Sequence, residues 1–169
     1  ELYNPTDSVI WLYNWDISGM SFSGDYFHNI SDPDMYILPG DYFVIGRNDN
    51  PENNGGYSPD YIYTGESGFN NNGDTIRIYD YSDTLKAEFN YWDSEFTMFG
   101  GKSIEIVYLD AEGLYSPTNW TSSIYEYGTD ELFGTPGSAN SALDNIPTAD
   151  AGGPYIYTDT DGDLSEWVT

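Results

Sequence analysis

The sequence contains no cysteine, which excludes a disulfide framework, a thiolate metal site and a cysteine nucleophile. Cationic side chains are nearly as scarce. Four Lys and Arg stand against 29 Asp and Glu, for a formal net charge of −25. Phosphate backbones and anionic bilayers draw their affinity from cationic contacts, so neither nucleic acid nor a charged membrane surface is an expected partner. The ligands that such a surface admits are neutral, such as glycans and protein surfaces, or cationic, such as calcium. Self-repulsion at this charge costs stability, and salt or divalent ions relieve it. An extracellular or cell-surface setting fits that requirement. No apolar run approaches the roughly 20 residues that cross a bilayer, so membrane insertion is not expected. No segment keeps a helical period over three turns. A signal peptide is also missing, and the opening Glu1-Leu2-Tyr3 reads as the interior of a longer polypeptide.

Aromatic residues, in contrast, make up 18% of the chain, with 17 Tyr and five Trp. An acidic disordered tail carries far fewer, so the chain is expected to fold. At 169 residues it can hold one domain and the beginning of another.

Alternation with a period of two recurs between clusters of Gly, Pro, Asn and Asp. Residues 74–79 put Ile76 and Ile78 on one face, against Thr75, Arg77 and Tyr79. Residues 85–91 set Leu85, Ala87, Phe89 and Tyr91 against Lys86, Glu88 and Asn90. Residues 103–109 align Ile104, Ile106 and Tyr108. Each pattern predicts a half-buried strand. Residues 42–45 are apolar on both parities, as in a strand covered on both sides. Pro39-Gly40 and Asn72-Gly73 mark turns, and residues 48–57 read as a polar, Gly-rich surface loop. Short strands spaced by turns predict an all-β, antiparallel β-sandwich. Composition shifts near Ser138. Residues 1–140 read as the sandwich, 141–149 as a linker and 150–169 as the truncated start of a second β-module.

Glu1-Leu2-Tyr3-Asn4-Pro5 is followed by Val9, Ile10, Trp11, Leu12, Trp15 and Ile17 in a V-x-L-x-x-W-x-[LI] pattern. A strand–Pro-Gly–strand unit follows in Ile37-Leu38-Pro39-Gly40-Asp41-Tyr42-Phe43-Val44-Ile45. Asn71-Asn72-Gly73-Asp74-Thr75-Ile76-Arg77-Ile78-Tyr79-Asp80 reads N-x-G-D-x-[IV]-x-[LI]-x-D. A Ser-Ile strand leading to Asp110, then Trp120, and finally Thr135-Pro136-Gly137-Ser138-Ala139-Asn140 complete the series. In this order the motifs resemble the lamin tail domain, an immunoglobulin-like β-sandwich, whose opening strand ends as Glu1–Pro5 does; the likeness covers about four-fifths of the chain. Glu105 and Val107 stand where the family usually carries Arg. Pro147-Thr148-Ala149-Asp150-Ala151-Gly152-Gly153-Pro154-Tyr155 resembles the opening of a polycystic-kidney-disease-type repeat. The resemblance implies a non-catalytic accessory, spacer or adhesive module of a larger secreted protein. Its partners would be other domains of the same polypeptide and a cell-surface protein or glycan.

Three kinds of site compete with purely structural roles. Asp159, Asp161 and Asp163 place carboxylates at alternate positions, an arrangement that calcium accepts, although a solvated turn explains them equally well. Asp32, Asp34, Asp49, Asp60 and the 70–74 cluster read as turn residues. Flat rings stack on sugar faces, so exposed aromatics are candidates for a carbohydrate-binding module. Trp15 and Trp120 fall on motif positions that look like core. Trp11, Trp92, Tyr79 and Tyr81, with Tyr125 and Tyr127, are freer to form a binding face. Catalysis has the weakest support: His28 is the only histidine and reads as an ordinary surface residue. Asn29-Ile30-Ser31 and Asn119-Trp120-Thr121 are formal glycosylation sequons.

Overall fold

A computed structural model describes residues 1–21, 24–63, 69, 72–92, 100–108, 116–128 and 131–142. Their regular structure is almost entirely β. Strands β1 (Leu2–Tyr3), β2 (Ile10–Trp11), β3 (Asp16–Ser21), β4 (Gly24–Asn29), β5 (Tyr36–Ile37), β6 (Tyr42–Phe43) and β7 (Ile45–Gly46) precede a one-turn helix, α1 (Pro51–Asn54). After it come β8 (Tyr61–Ile62), β9 (Gly73–Tyr79), β10 (Leu85–Trp92), β11 (Ile104–Ile106), β12 (Trp120–Ser122), β13 (Glu126–Tyr127) and β14 (Leu132–Phe133).

Four strands form one sheet in the order β10-β9-β3-β4, antiparallel throughout. The others pair in short ladders: β1 with β6, β2 with β5, β7 with β8, β11 with β12, and β13 with β14. Among these described ladders, only β7–β8 departs from the antiparallel expectation. A parallel pair needs a crossover of about a dozen residues or more, which residues 47–60 supply. The Pro39-Gly40 turn, with Gly40 at φ 76°, is not a hairpin: β5 pairs with β2, while β6 pairs with β1. It moves the chain from one ladder to another.

The core lies between the four-stranded sheet and these ladders. The sheet contributes Ile17 and Ile78, the ladders contribute Ile37 and Phe43, and the connections contribute Leu12 and Ile30. A turn at Asn14, which adopts a left-handed φ of 61°, sets the register of this layer. Ile10 and Leu12 point inward two residues apart. The Asn14 turn then inserts an extra residue, so Trp15 and Ile17 also point inward, now as part of the next sheet. Asn tolerates this conformation better than most residues with a side chain.

Cross-strand rows show why the two faces of the sheet differ. Ala87, Ile78, Ile17 and His28 form one row on the core side. Phe89 faces Ile76 in the next row, and Phe89 stacks on Trp120 with centroids 3.9 Å apart. On the other side, Arg77 Nε meets Glu88 Oε2 at 2.7 Å, and Thr75 donates to Asn90. The alternation in β10 breaks at a bulge between Leu85 and Ala87, which leaves Leu85 exposed instead of on the core face.

Polar side chains, several of them buried, tie the short ladders together. Asn4 is fully buried; its Nδ2 donates to Ser8 O and Ile37 O, and its Oδ1 accepts from the Thr6 N–H and hydroxyl. Asp60 Oδ2 accepts from Val44 N–H at 2.7 Å, so this residue joins two segments and does more than shape a turn. Asn119 is also buried, bonding to both the N–H and the C=O of Tyr108, which takes its side chain away from any glycosylating enzyme. Asp32, by contrast, has the expected turn role, accepting from Asp34 N–H. Asp74 does not: it lies within β9 and is fully buried.

The β9–β10 turn is organised by Asp80. Its Oδ1 accepts from the Ser82 N–H and hydroxyl and from Thr84 N–H, and its Oδ2 lies 2.8 Å from Lys86 Nζ. The Lys86 ammonium, followed by the Ser82 hydroxyl, holds this carboxyl well below the usual carboxylate range.

Two outcomes are expected. Leu12→Ala should cost roughly 2–5 kcal/mol, because a fully buried leucine leaves a cavity. Leu85→Ala should stay within about 0.5 kcal/mol despite its matching parity. Urea unfolding midpoints measure both. Asp80 has a depressed folded pKa, so its stabilisation is complete above its unfolded value of about 4 and is lost as pH falls below that. Asp80→Asn should therefore be less stable than wild type at pH 7. The gap should narrow steadily in urea titrations carried below about pH 4, and a constant gap would contradict the role assigned to Asp80.

Candidate functional site

Residues 48–57 form more than the loop that their composition suggests. Asn50 caps α1 by accepting from Glu52 N–H at 3.0 Å, Pro51 occupies the first turn, and Gly55 ends the helix at φ 82°. This N-cap, Pro and C-terminal Gly order is a short-range helix signal that a search over three turns passes by. Asn54 then closes the loop by donating to Asn48 O and Tyr57 O. The closed loop brings Tyr57 up to the β13–β14 hairpin.

Between them lies an open groove of about 390 Å³, walled by Tyr57, Tyr125 and Tyr127 and bordered by Thr135, Pro136 and Ser138. The Tyr57 and Tyr127 rings meet edge to face, with centroids 6.2 Å apart. Glycines on both sides make room for the Tyr127 ring. A Cβ on Gly55 would sit 2.9 Å from the ring and one on Gly134 would sit 3.0 Å from it. Gly128 packs directly on Gly55, where a Cβ would come 1.8 Å from the Gly55 carbonyl oxygen. Burial, and then the neighbouring Tyr57, push the Tyr127 phenol up. Tyr125 remains 44% exposed. None of the described residues lining the groove carries a charged side chain.

A second aromatic surface lies on the β2–β5 ladder. Ile10 and Ile37 pair and turn inward; the next pair, Trp11 and Tyr36, turns outward with ring centroids 5.3 Å apart. Trp11 is 59% exposed, and Val9, Tyr13 and Leu38 are exposed along the same stretches of chain.

The predicted glycan-platform residues are not gathered in one place. Trp11 lies in the β2–β5 ladder, whereas Tyr79 is half-buried in the four-stranded sheet beside Asp16 and Leu85. Tyr81 is 76% exposed in the turn that follows Asp80. The Trp92 side chain falls outside the described residues, as do Asp159, Asp161 and Asp163. Among the described residues, no group of three or more His, Asp and Glu side chains is placed to hold a metal ion. Trp15 and Trp120 are inward residues, one packed on the core and the other on Phe89.

His28 departs from the surface reading. Pairing with Ile17 puts it on the core side of the sheet, where its Nε2 lies 3.0 Å from the Tyr61 hydroxyl. The rings of Tyr61 and Tyr63 flank it, and the Arg47 guanidinium lies over Tyr63. Tyr91 is paired with Asp74, and its phenol is pushed up by burial first and then by the Asp74 charge. Only strand pairing reveals this cluster, because residues 28, 61, 63, 74 and 91 share no sequence motif.

Glu105, at 4% exposure, also points inward. Its Oε1 accepts from the Ser141 hydroxyl and from Ala142 N–H, and Ser141 is itself fully buried against Ser123. Packing therefore continues two residues beyond Asn140.

Substituting Gly55 should damage the groove more than substituting an exposed residue. Gly55→Ala meets Leu132 at 2.5 Å and forces alanine into a left-handed φ. A loss on the order of 1–3 kcal/mol is expected in urea unfolding, together with a changed Tyr127 ring environment in NMR.

Comparison with protein-family models, curated proteins and solved structures found no match to this chain.

Proposed function

We propose that residues 1–142 form an immunoglobulin-like β-sandwich of the lamin-tail type. In this reading the domain is a non-catalytic adhesive module of a larger extracellular or cell-surface protein. The motif residues support the assignment through the work that they do in the fold. Asn4 joins the first ladders, Asp80 organises the β9–β10 turn, and Asn140 donates to Ile106 O to secure the closing segment. The recognition role rests chiefly on one observation: the paired, outward-facing Trp11 and Tyr36 rings beside Val9 and Leu38. Large apolar side chains grouped on a surface mark interaction sites more often than chance exposure does. Its partners would be other domains of the same polypeptide and a surface protein or glycan. Calcium would enter only through Asp159, Asp161 and Asp163.

A carbohydrate-binding module is the second reading, favoured by the tyrosine-walled groove.

Co-sedimentation with purified cell-wall particles, before and after protein is stripped from them, tests adhesion. The chain should pellet with at least one of the two preparations. The Trp11→Ala, Tyr36→Ala double variant should bind roughly tenfold or more weakly, with its unfolding midpoint kept. Equal pelleting of variant and wild type would remove the platform from the proposal. Failure of both to pellet would overturn the adhesive role.

A further inference from the structure

Building on the recognition-module reading, we infer that the groove between α1 and the β13–β14 hairpin binds a short run of sugar units in a neutral polysaccharide. Its described lining carries no charged side chain in a chain whose formal net charge is −25. Anionic glycans would meet the repulsion of the whole molecule, and a cation would find no carboxylate among the groove's described lining residues. The remaining chemistry is flat rings and hydroxyl groups. Tyr127 is held in place by Gly55 and Gly134, while Tyr125 is substantially exposed at the wall. Rings of this kind take the C–H faces of sugars, and their position, fixed before binding, lowers the ordering cost. The volume of about 390 Å³ falls at the lower end of small-ligand sites, enough for a short segment and not for an extended surface.

A proline-rich peptide is the other ligand that aromatic grooves commonly accept. The polar groups here favour the sugar. The side-chain polar groups of the described lining are all hydroxyls, from the three tyrosines, Thr135 and Ser138. A hydroxyl both donates and accepts, as sugar hydroxyls do, whereas a polyproline backbone offers acceptors alone. Ser138 Oγ donates to Thr135 O, which leaves its lone pairs to receive an incoming sugar O–H.

Affinity electrophoresis of the full chain tests this, with β-glucan, xylan and galactomannan as neutral polymers and alginate as an anionic one. At least one neutral polymer should retard migration, equally with calcium and with chelator, and alginate should not. Tyr125→Ala should weaken the retardation tenfold or more, Tyr125→Phe should keep most of it, and Leu85→Ala, at an exposed position away from the groove, should leave it unchanged. Unfolding midpoints confirm that each variant is folded. Retardation lost in Trp11→Ala but kept in Tyr125→Ala would place the glycan on the β2–β5 platform and overturn the groove assignment, while the module reading stands. No retardation by any neutral polymer would also overturn it, as would Tyr125-dependent binding of a proline-rich peptide in its place. The cell-wall sedimentation result stands or falls separately from these outcomes.

Discussion

Asn4 is fully enclosed, and every polar atom of its side chain is bonded, mostly to backbone. Through it, the end of β1 meets both the segment before β2 and the end of β5. This constraint runs through the whole fold, because ladders only two or three residues long contain too few backbone bonds to hold their neighbours in register. Asp60, Asn119, Asn140 and Glu105 repeat the device, each carrying a side-chain oxygen or nitrogen to a distant backbone group. Where the group is buried, as at Asn4, Asn119 and Glu105, removing its partner leaves it unsatisfied, at a cost of about 1–3 kcal/mol. The apolar core then needs only to fill the space that these links define.

Charge shapes the same molecule from outside. The few cations are placed where they support structure: Arg77 meets Glu88, Lys86 meets Asp80, and Lys102 lies over the Phe133 ring. Two of these contacts stabilise the β9–β10 hairpin, whose strands form half of the four-stranded sheet. Among the described carboxylates, Asp74, Asp80 and Glu105 are buried, and most of the others lie at the surface. Against that background an uncharged groove with tyrosine walls is a local exception, and it depends on glycines that let backbone and rings approach closely.

Much of the fold was legible in the order of residues. The period-two runs at 74–79 and 85–91 are β9 and β10, since alternating side chains on a sheet with one apolar side leave that trace. Trp15, on a motif position that looks like core, packs against the core, and Trp11, read as freer to form a binding face, is exposed. Other features left weaker traces. The helix α1 is a single turn, too short for periodicity, although its capping residues were visible. Leu85 obeyed the alternation and still emerged at the surface, because a bulge is a property of strand pairing. His28 looked like a surface residue because nothing in its neighbours shows which strand will lie beside it.

Composition and local pattern determined the β class, the turn positions, the excess of negative charge and the inward residues of the longest strands. These depend on interactions between residues close in the chain, or on sums over the whole chain. Only the tertiary structure decided that β5 and β6 belong to different ladders, that Glu105 faces inward toward Ser141, and that Tyr57, Tyr125 and Tyr127 share one groove. Those outcomes depend on contacts between segments tens of residues apart. Their register is set by buried polar bonds and by glycines that permit close approach, and short sequence windows encode neither.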